Sequence, residues 1–409
     1  MDVSSPHVAI VGAGHAGGSA ATLLRQYGFA GRITLLGEES EPPYQRPPLS
    51  KAWLKGEAKA DELYLKPASY YAEHNIELRL GIRVASIDTA GQTIGLTSGE
   101  TLGYDYLVLA TGARARTLPL PGHDLAGILQ LRDMADARQL QAALARSRRI
   151  GIIGGGYIGL EVAASARALG VEVVVLEREP RLLSRVASEP IATFFRQLHE
   201  GHGVHFHFNA DIAAFEGQDG QVSGIRFADG SVEACDLLLV GVGAIPNDEM
   251  AQATGLHCDG GVVVDDDART SMPNVFAIGD VSRRPLALYN RMFRLESVPN
   301  ALEQAKRAAC AMTGKAPPAH DVPWFWSDQH GIKLQIAGLP FDADRQVVRG
   351  DPASGKFTVF HLQAGRLVAA EAVASPGDFL ASKKGILSGK TVDEAALADP
   401  GVPLMPLFA

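Results

Sequence analysis

Thiols are scarce in this chain. Its 409 residues hold three cysteines, Cys235, Cys258 and Cys310, which are far apart and form no Cys-x-x-Cys or Cys-x4-Cys pair. That spacing leaves no redox disulfide in the N-terminal half, argues against structural disulfides, and fits a reducing, cytoplasmic location. Long apolar runs are also lacking. None approaches the ~20 residues that span a bilayer, and the longest candidate, Leu237 to Pro246, reads as a buried strand. The first strand signal begins at about His7, which leaves no room for a secretory leader. Positive charge is not in excess either: the net charge of −8 argues against nucleic-acid binding over the whole surface. There is no low-complexity tract, and the length suits two or three domains.

Glycine, by contrast, is abundant, and its placement carries the most information. The stretch Arg149-Ile-Gly-Ile-Ile-Gly154-Gly-Gly156-Tyr157-Ile158-Gly159-Leu-Glu161 reads as an apolar strand, a glycine turn and a helix start. This is the phosphate-cradling turn of a dinucleotide-binding βαβ unit. Gly154 permits the tight turn, Gly156 lets the backbone approach a pyrophosphate, and Gly159 lets helix and strand pack closely. The helix N-terminus supplies free N–H donors to that pyrophosphate. A second strand, Val171 to Leu176, leads to Glu177, which is placed to grip an adenosine ribose and would repel a 2′-phosphate. NADH is therefore expected over NADPH, with Arg178 as a neighbouring opposing charge.

The fingerprint occurs twice. His7-Val-Ala-Ile-Val-Gly12-Ala-Gly14-His15-Ala16-Gly17 repeats it, followed by the strand Arg32 to Leu36 and then Glu38. A domain's length separates the two copies, so each should head its own nucleotide-binding fold. The chemically sensible pair of ligands is a resident FAD and a visiting NADH. Between the copies, Glu41 to Lys51 carries two Pro-Pro pairs and reads as a stiff extended loop that could aim Arg46 and Lys51 at a ligand. Short strands are expected at 76–80, 92–97 and 106–110, the last closing on Ala110-Thr111-Gly112, with Arg132 just before a helical stretch.

Further strands are expected at 204–208, 222–227 and 237–242, the last ending in Val242-Gly243, where a nicotinamide could lie against backbone. The strand Asn274 to Ile278 stops at Gly279-Asp280, and that carboxylate could accept from a ribityl hydroxyl. An Ala-rich helix follows, for which Asn300 is the expected N-cap and Glu303 the capping-box partner. From Arg283 to Lys315, seven basic residues (Arg283, Arg284, Arg291, Arg294, Lys306, Arg307, Lys315) stand against Glu296 and Glu303, which suggests either a solvated face or a docking patch for an acidic partner. The last segment opens with Trp324-Phe-Trp326; the two tryptophans are expected to face opposite sides, one to the core and one to a ligand ring. Four strands and a helical tail then read as a small antiparallel cap or interface domain.

These motifs, in this order, resemble the NADH-dependent ferredoxin reductases that feed bacterial oxygenases. The most specific are Arg46-Pro-Pro-Leu-Ser-Lys51, Gly154 to Glu161, Glu296-Ser-Val-Pro-Asn-Ala-Leu-Glu-Gln304 and Pro323-Trp-Phe-Trp-Ser-Asp-Gln329. The resemblance implies an α/β fold of glutathione-reductase type: two Rossmann-like domains plus a C-terminal α+β domain with an antiparallel sheet. It suggests an FAD domain of 1–118 and 248–322, an NAD domain of 119–247 and an interface domain of 323–409. It implies FAD contacts at Ala16, Glu38, Lys51, Val84, Arg132, Asp280 and Val298, and NADH contacts at Tyr157, Ile158, Glu177, Gly243 and Glu296. Trp326 is implied beside the nicotinamide–flavin stack, and Lys51 with Glu161 as an ion pair near flavin N5. Lys306 is implied at a docking position, with Arg294 and Arg307 beside it, for an acidic [2Fe–2S] ferredoxin that supplies a cytochrome P450 or Rieske-type oxygenase. An NADH oxidase is the alternative; a peroxidase or disulfide reductase would need the missing thiols.

Overall fold

The computed structural model describes residues 5–409 and shows two compact units. The first comprises the chain up to Arg46, Lys59–Arg114 and Ala244–Asp321; the second comprises Pro47–Ala58, Ala115–Gly243 and Val322–Ala409.

The first unit is built on a parallel sheet in the order Val275–Ala277, Tyr106–Leu109, His7–Val11, Arg32–Leu36, Ile76–Arg79. His7–Val11 is central and buried throughout, as expected for an apolar run covered on both faces. One face packs on the helices His15–Gln26 and Val298–Thr313. Their facing alanines (Ala20, Ala21, Ala305, Ala308, Ala309) are buried in one core with Ile10 and Phe276. The other face carries a three-stranded antiparallel sheet, Val84–Asp88, Thr93–Leu96 and Thr101–Gly103.

The second unit repeats the plan. Its parallel sheet runs Val204–Phe208, Glu172–Glu177, Arg149–Ile153, Leu237–Val240, Ile128–Leu129, again with the fingerprint strand in the middle. In both sheets the chain leaves the central strand to one side first and returns to the other, so the crevice where a nucleotide can bind opens at that strand's carboxyl end. The C-terminal segment forms an antiparallel sheet, Trp324–Gln329, Ile332–Gly338, Arg366–Val373, Lys356–Gln363, Arg345–Asp351. One of its faces packs under Phe379, Ile386, Leu397 and Phe408 of the helical tail. The opposite face, through Leu334, Phe357 and Val359, packs on Leu160, Ile191 and Phe195.

Four expectations need correction. The Pro47–Ser50 segment is not an extended loop but a 3-10 turn, since proline's fixed φ and missing N–H suit a first helical turn. It belongs with the second unit, where the Ser50 backbone oxygen accepts from Ser165 Oγ and the Trp53 oxygen from Gln141 Nε2. The helix at 298 is capped by Ser297, whose Oγ accepts from the Asn300 N–H; Pro299 lies inside its first turn, and Asn300 is not the cap. The apolar run from Leu237 makes a strand only to Val240; Ala244–Pro246 is a separate strand. Finally, Trp324 and Trp326 do not face opposite sides. Residues two apart on a strand share a face, and their ring centres lie 5.5 Å apart. Phe325 is the one that points the other way, onto Tyr157 at 4.6 Å.

Candidate functional site

Both glycine turns have the same geometry. Gly12 and Gly154 have φ of +112° and +107°, a region closed to ordinary side chains. Each N–H donates to the end of the neighbouring strand, Gly12 to Leu36 O and Gly154 to Leu176 O, both at 2.8 Å. A Cβ at Gly12 would collide with Ala110 O, and one at Gly154 with Gly241 O. At Gly17 and Gly159 a Cβ would strike the carbonyl of the turn's own first glycine, so those helices approach as closely as backbone allows. Gly156 has open space above its Cα, and the nearest atom to a Cβ at Gly14 would be Arg46 Nη2 at 3.9 Å. Each turn therefore leaves a bare cradle of backbone at a helix N-terminus, the shape and polarity that suit a pyrophosphate.

In the first unit the expected residues line the carboxyl edge of the sheet. Gly12, Gly14, His15 and Ala16 follow the central strand; Ala110, Thr111 and Gly112 end the next, and Gly279 and Asp280 the one beyond. Glu38 lies past Arg32–Leu36, exposed and 3.3 Å from Arg83. Val84 starts a strand of the antiparallel layer and Val298 starts the helix. Thr111 Oγ1 donates to Asn247 O at 2.7 Å, and Asn247 Nδ2 donates back to Thr111 O at 2.9 Å, which fixes the end of that strand. Arg46 pairs with Glu39 at 2.6 Å. His15 Nδ1 is buried without a hydrogen-bond partner, and burial lowers that imidazole's pKa while Asp280 opposes the shift. An unmatched buried nitrogen beside a glycine cradle fits a site that a polar cofactor completes, and FAD suits it.

The motif from Glu296 to Gln304 has an internal task that its sequence does not advertise. Gln304 Oε1 accepts from the Gly279 N–H at 2.8 Å and from Ser282 Oγ at 2.9 Å. Asn300 Nδ2 donates to Leu295 O and to Gln304 Oε1. Together they brace the Gly279-Asp280 turn. Glu296 pairs with Arg294 at 2.5 Å.

In the second unit, Gly154, Gly156, Tyr157, Ile158 and Gly159 form the turn and helix start, with Glu177, Val242, Gly243 and Arg132 at or beyond the ends of neighbouring strands. Glu177 Oε2 accepts from the Gly155 N–H at 2.7 Å and Oε1 from the Glu179 N–H at 2.9 Å, so the carboxylate is braced at the mouth of the turn. The helix Tyr157–Ala168 carries Glu161, only 5% exposed. Lys51 Nζ and Ser50 Oγ each donate to its Oε2 at 2.5 Å, and Ser327 Oγ donates to Oε1 at 2.6 Å. Lys51 Nζ also donates to Pro47 O at 3.0 Å. The structure thus joins the expected pair, Lys51 and Glu161, and adds Ser50 and Ser327, which sequence reasoning gave no role. Ser327 shares a strand face with Phe325, which meets the helix that bears Glu161. Trp326 lies on the other face of that strand.

The expected FAD residues are divided: Lys51, Arg132 and Trp326 belong to the second unit and the others to the first, while Glu296 is the one expected NADH residue in the first.

The basic stretch is largely neutralised in place. Arg307 is buried, 2% exposed, between Asp266 (3.1 Å) and Glu303 (3.3 Å), so its expected docking role is wrong: a side chain inside the fold cannot meet a partner. Arg284 is buried against Glu303 and Arg283 pairs with Asp259. Lys306, half-buried, stays at the surface. All three cysteines are free; burial pushes the Cys235 thiol up to about 12 and is the main force raising Cys258 to about 11. Neither offers a thiolate at neutral pH. Among the described residues no helix is long and apolar enough to cross a membrane.

A pair of parallel-sheet units, each opening a glycine cradle at its switch point, defines a two-dinucleotide oxidoreductase. The chain belongs to the pyridine nucleotide-disulphide oxidoreductase family, whose model matches residues 6–305, and residues 324–408 match the reductase C-terminal family. It is 49% identical to the probable ferredoxin reductase of Castellaniella defragrans, covering 99% of both chains. It is 41% identical to putidaredoxin reductase of Pseudomonas putida, covering 99% of this chain and 97% of that one. In the crystal structure of the covalent putidaredoxin reductase–putidaredoxin complex, a chain 40% identical superposes with a TM-score of 0.96 over 99% of this chain and 98% of that one. The family's name refers to a disulfide that this chain does not possess.

Proposed function

We infer that this chain is an FAD-dependent NADH:ferredoxin reductase. The observation that carries the reading is the doubled cradle in a chain without a usable thiol, borne by a protein 49% identical to a probable ferredoxin reductase over its whole length. Bound FAD would supply the redox chemistry that matches a two-electron donor, NADH, to a one-electron acceptor.

The chain's own contribution is binding, orientation and charge. The first turn and its helix hold the FAD pyrophosphate, with Glu38 and Asp280 as acceptors for hydroxyls. The second holds NADH, and Glu177 both braces the turn and meets the adenosine ribose, where it disfavours a 2′-phosphate. Tyr157 and Ile158 also contact NADH, and Gly243 lies beside its nicotinamide. Lys51 offers a cation to the reduced flavin, and Glu161 holds its ammonium in place. The acceptor is an acidic [2Fe–2S] ferredoxin that feeds a cytochrome P450 or Rieske-type oxygenase, with Lys306 and Arg294 on its docking face. A cytoplasmic location belongs to the same proposal. NADH oxidation by the yellow protein, with ferredoxin plus cytochrome c against oxygen alone, tests it. Steep stimulation by ferredoxin supports the reading, and fast turnover with oxygen alone replaces it with an oxidase.

A further inference from the structure

A run of buried polar side chains starts at Glu161 and leaves the nucleotide turn behind. Ser327 Oγ lies 2.6 Å from Glu161 Oε1, Gln329 Nε2 lies 3.1 Å from Ser327 Oγ, and His199 Nε2 lies 2.9 Å from Gln329 Oε1. His330 Nε2 then lies 3.1 Å from His199 Nδ1, and His202 stacks on His330 at 3.9 Å. Ser327, Gln329 and His199 are each at most 1% exposed. All belong to the second unit.

The Glu161 carboxylate, paired with Lys51, accepts the single proton of Ser327. The Ser327 oxygen accepts in turn from the Gln329 NH2 group, which leaves the Gln329 carbonyl facing His199. A carbonyl also only accepts, so His199 carries its proton on Nε2, and its bare Nδ1 accepts from His330. Four donors in a row thus point at one carboxylate. His330 sits in the turn that joins two strands of the C-terminal sheet. It is the first of two residues of a tight hairpin with positive φ, 49° at His330 and 79° at Gly331, where Asn-Gly would be favoured.

We propose that His199, oriented by His330, is a positioning residue for the Lys51–Glu161 pair: by donating from Nε2 to Gln329 it locks the amide so that Ser327 must donate to Glu161. This rests on the reductase reading above. Without the His199 donor the Gln329 amide is free to turn its carbonyl to Ser327. The serine proton then leaves Glu161, whose buried Oε1 is left unmatched, and the lysine partner of that carboxylate feels the change. Burial lowers the His199 pKa to about 4 and the His330 pKa to about 3, so both rings are neutral at pH 7, as the chain of donors requires.

Two measurements test this. The first is the 15N imidazole spectrum of the holoprotein at pH 7, in which His199 is expected as the neutral Nε2–H tautomer; an Nδ1–H tautomer or an imidazolium would overturn the proposal. The second compares His199→Leu with His199→Gln, whose amide can still donate to Gln329. In His199→Leu the reduction of bound FAD by NADH should slow about tenfold, or about 1.4 kcal/mol. The flavin midpoint potential should move with it, while the NADH dissociation constant stays unchanged. His199→Gln should return both to within about twofold of the parent. Parent-like rate and potential in His199→Leu, or equal losses in both variants, would overturn it. If His199→Leu does not fold, the tautomer decides. A holoprotein that NADH cannot reduce at all would instead sink the reductase reading and leave the tautomer result standing.

Discussion

Gly12 to Gly17 and Gly154 to Gly159 are one turn built twice, with matching φ, matching 2.8 Å bonds to the neighbouring strand and matching collisions for any added Cβ. What differs is the helix that each turn launches. At its fifth position the first helix has Ser19 and the second has Glu161, a buried carboxylate with three side-chain donors. The acids that end the second strands differ too: Glu38 is 68% exposed, whereas Glu177 holds the Gly155 N–H. The two turns share one backbone cradle; the second unit adds a buried carboxylate, its donors and a braced second acid around it.

Breaking the two cradles separately should have the largest effects. Gly12→Ala should give a folded but colourless protein that retains no FAD. Gly154→Ala should stay yellow yet raise KM for NADH roughly a hundredfold, the equivalent of about 2.7 kcal/mol. Absorbance at flavin wavelengths and NADH titration separate the two. Next comes the charge that distinguishes the second helix. Lys51→Met should slow reduction of bound FAD by NADH by about a hundredfold in stopped flow, because it strands a buried carboxylate as well as removing a cation.

A smaller effect is expected at the second acid. Glu177→Gln keeps an acceptor for Gly155 but loses the charge, so the preference in kcat/KM for NADH over NADPH should fall about tenfold. The smallest concerns the basic stretch. Lys306→Glu should raise KM for ferredoxin about threefold at low salt and have no effect at high salt. Arg307→Ala should instead lower the melting temperature without a salt-dependent change in that KM, because Asp266 and Glu303 lose their buried partner.

The double fingerprint was legible because Gly12, Gly17, Gly154 and Gly159 answer local demands that no other residue can meet. The parallel strands were legible because a strand covered on both faces must be a continuous apolar run. The Lys51–Glu161 pair is more than a hundred residues apart in sequence and came only through resemblance. Nothing local announces that Ser50 and Ser327 complete it, or that Gln329 and His199 extend it. Asn300 has the composition of a cap, but Pro299 beside it already marked the inside of the first turn, which points back to Ser297. The two tryptophans were misplaced by a slip in strand periodicity. The basic stretch misled for a different reason: a charge census along the chain cannot see that Arg284 and Arg307 are buried and paired.

The most direct test of the central claim is steady-state NADH oxidation by the yellow holoprotein, measured with oxygen alone and with a [2Fe–2S] ferredoxin plus cytochrome c. Slow turnover with oxygen and a steep, saturable rise with ferredoxin are expected. Fast turnover with oxygen to which ferredoxin adds nothing would contradict it.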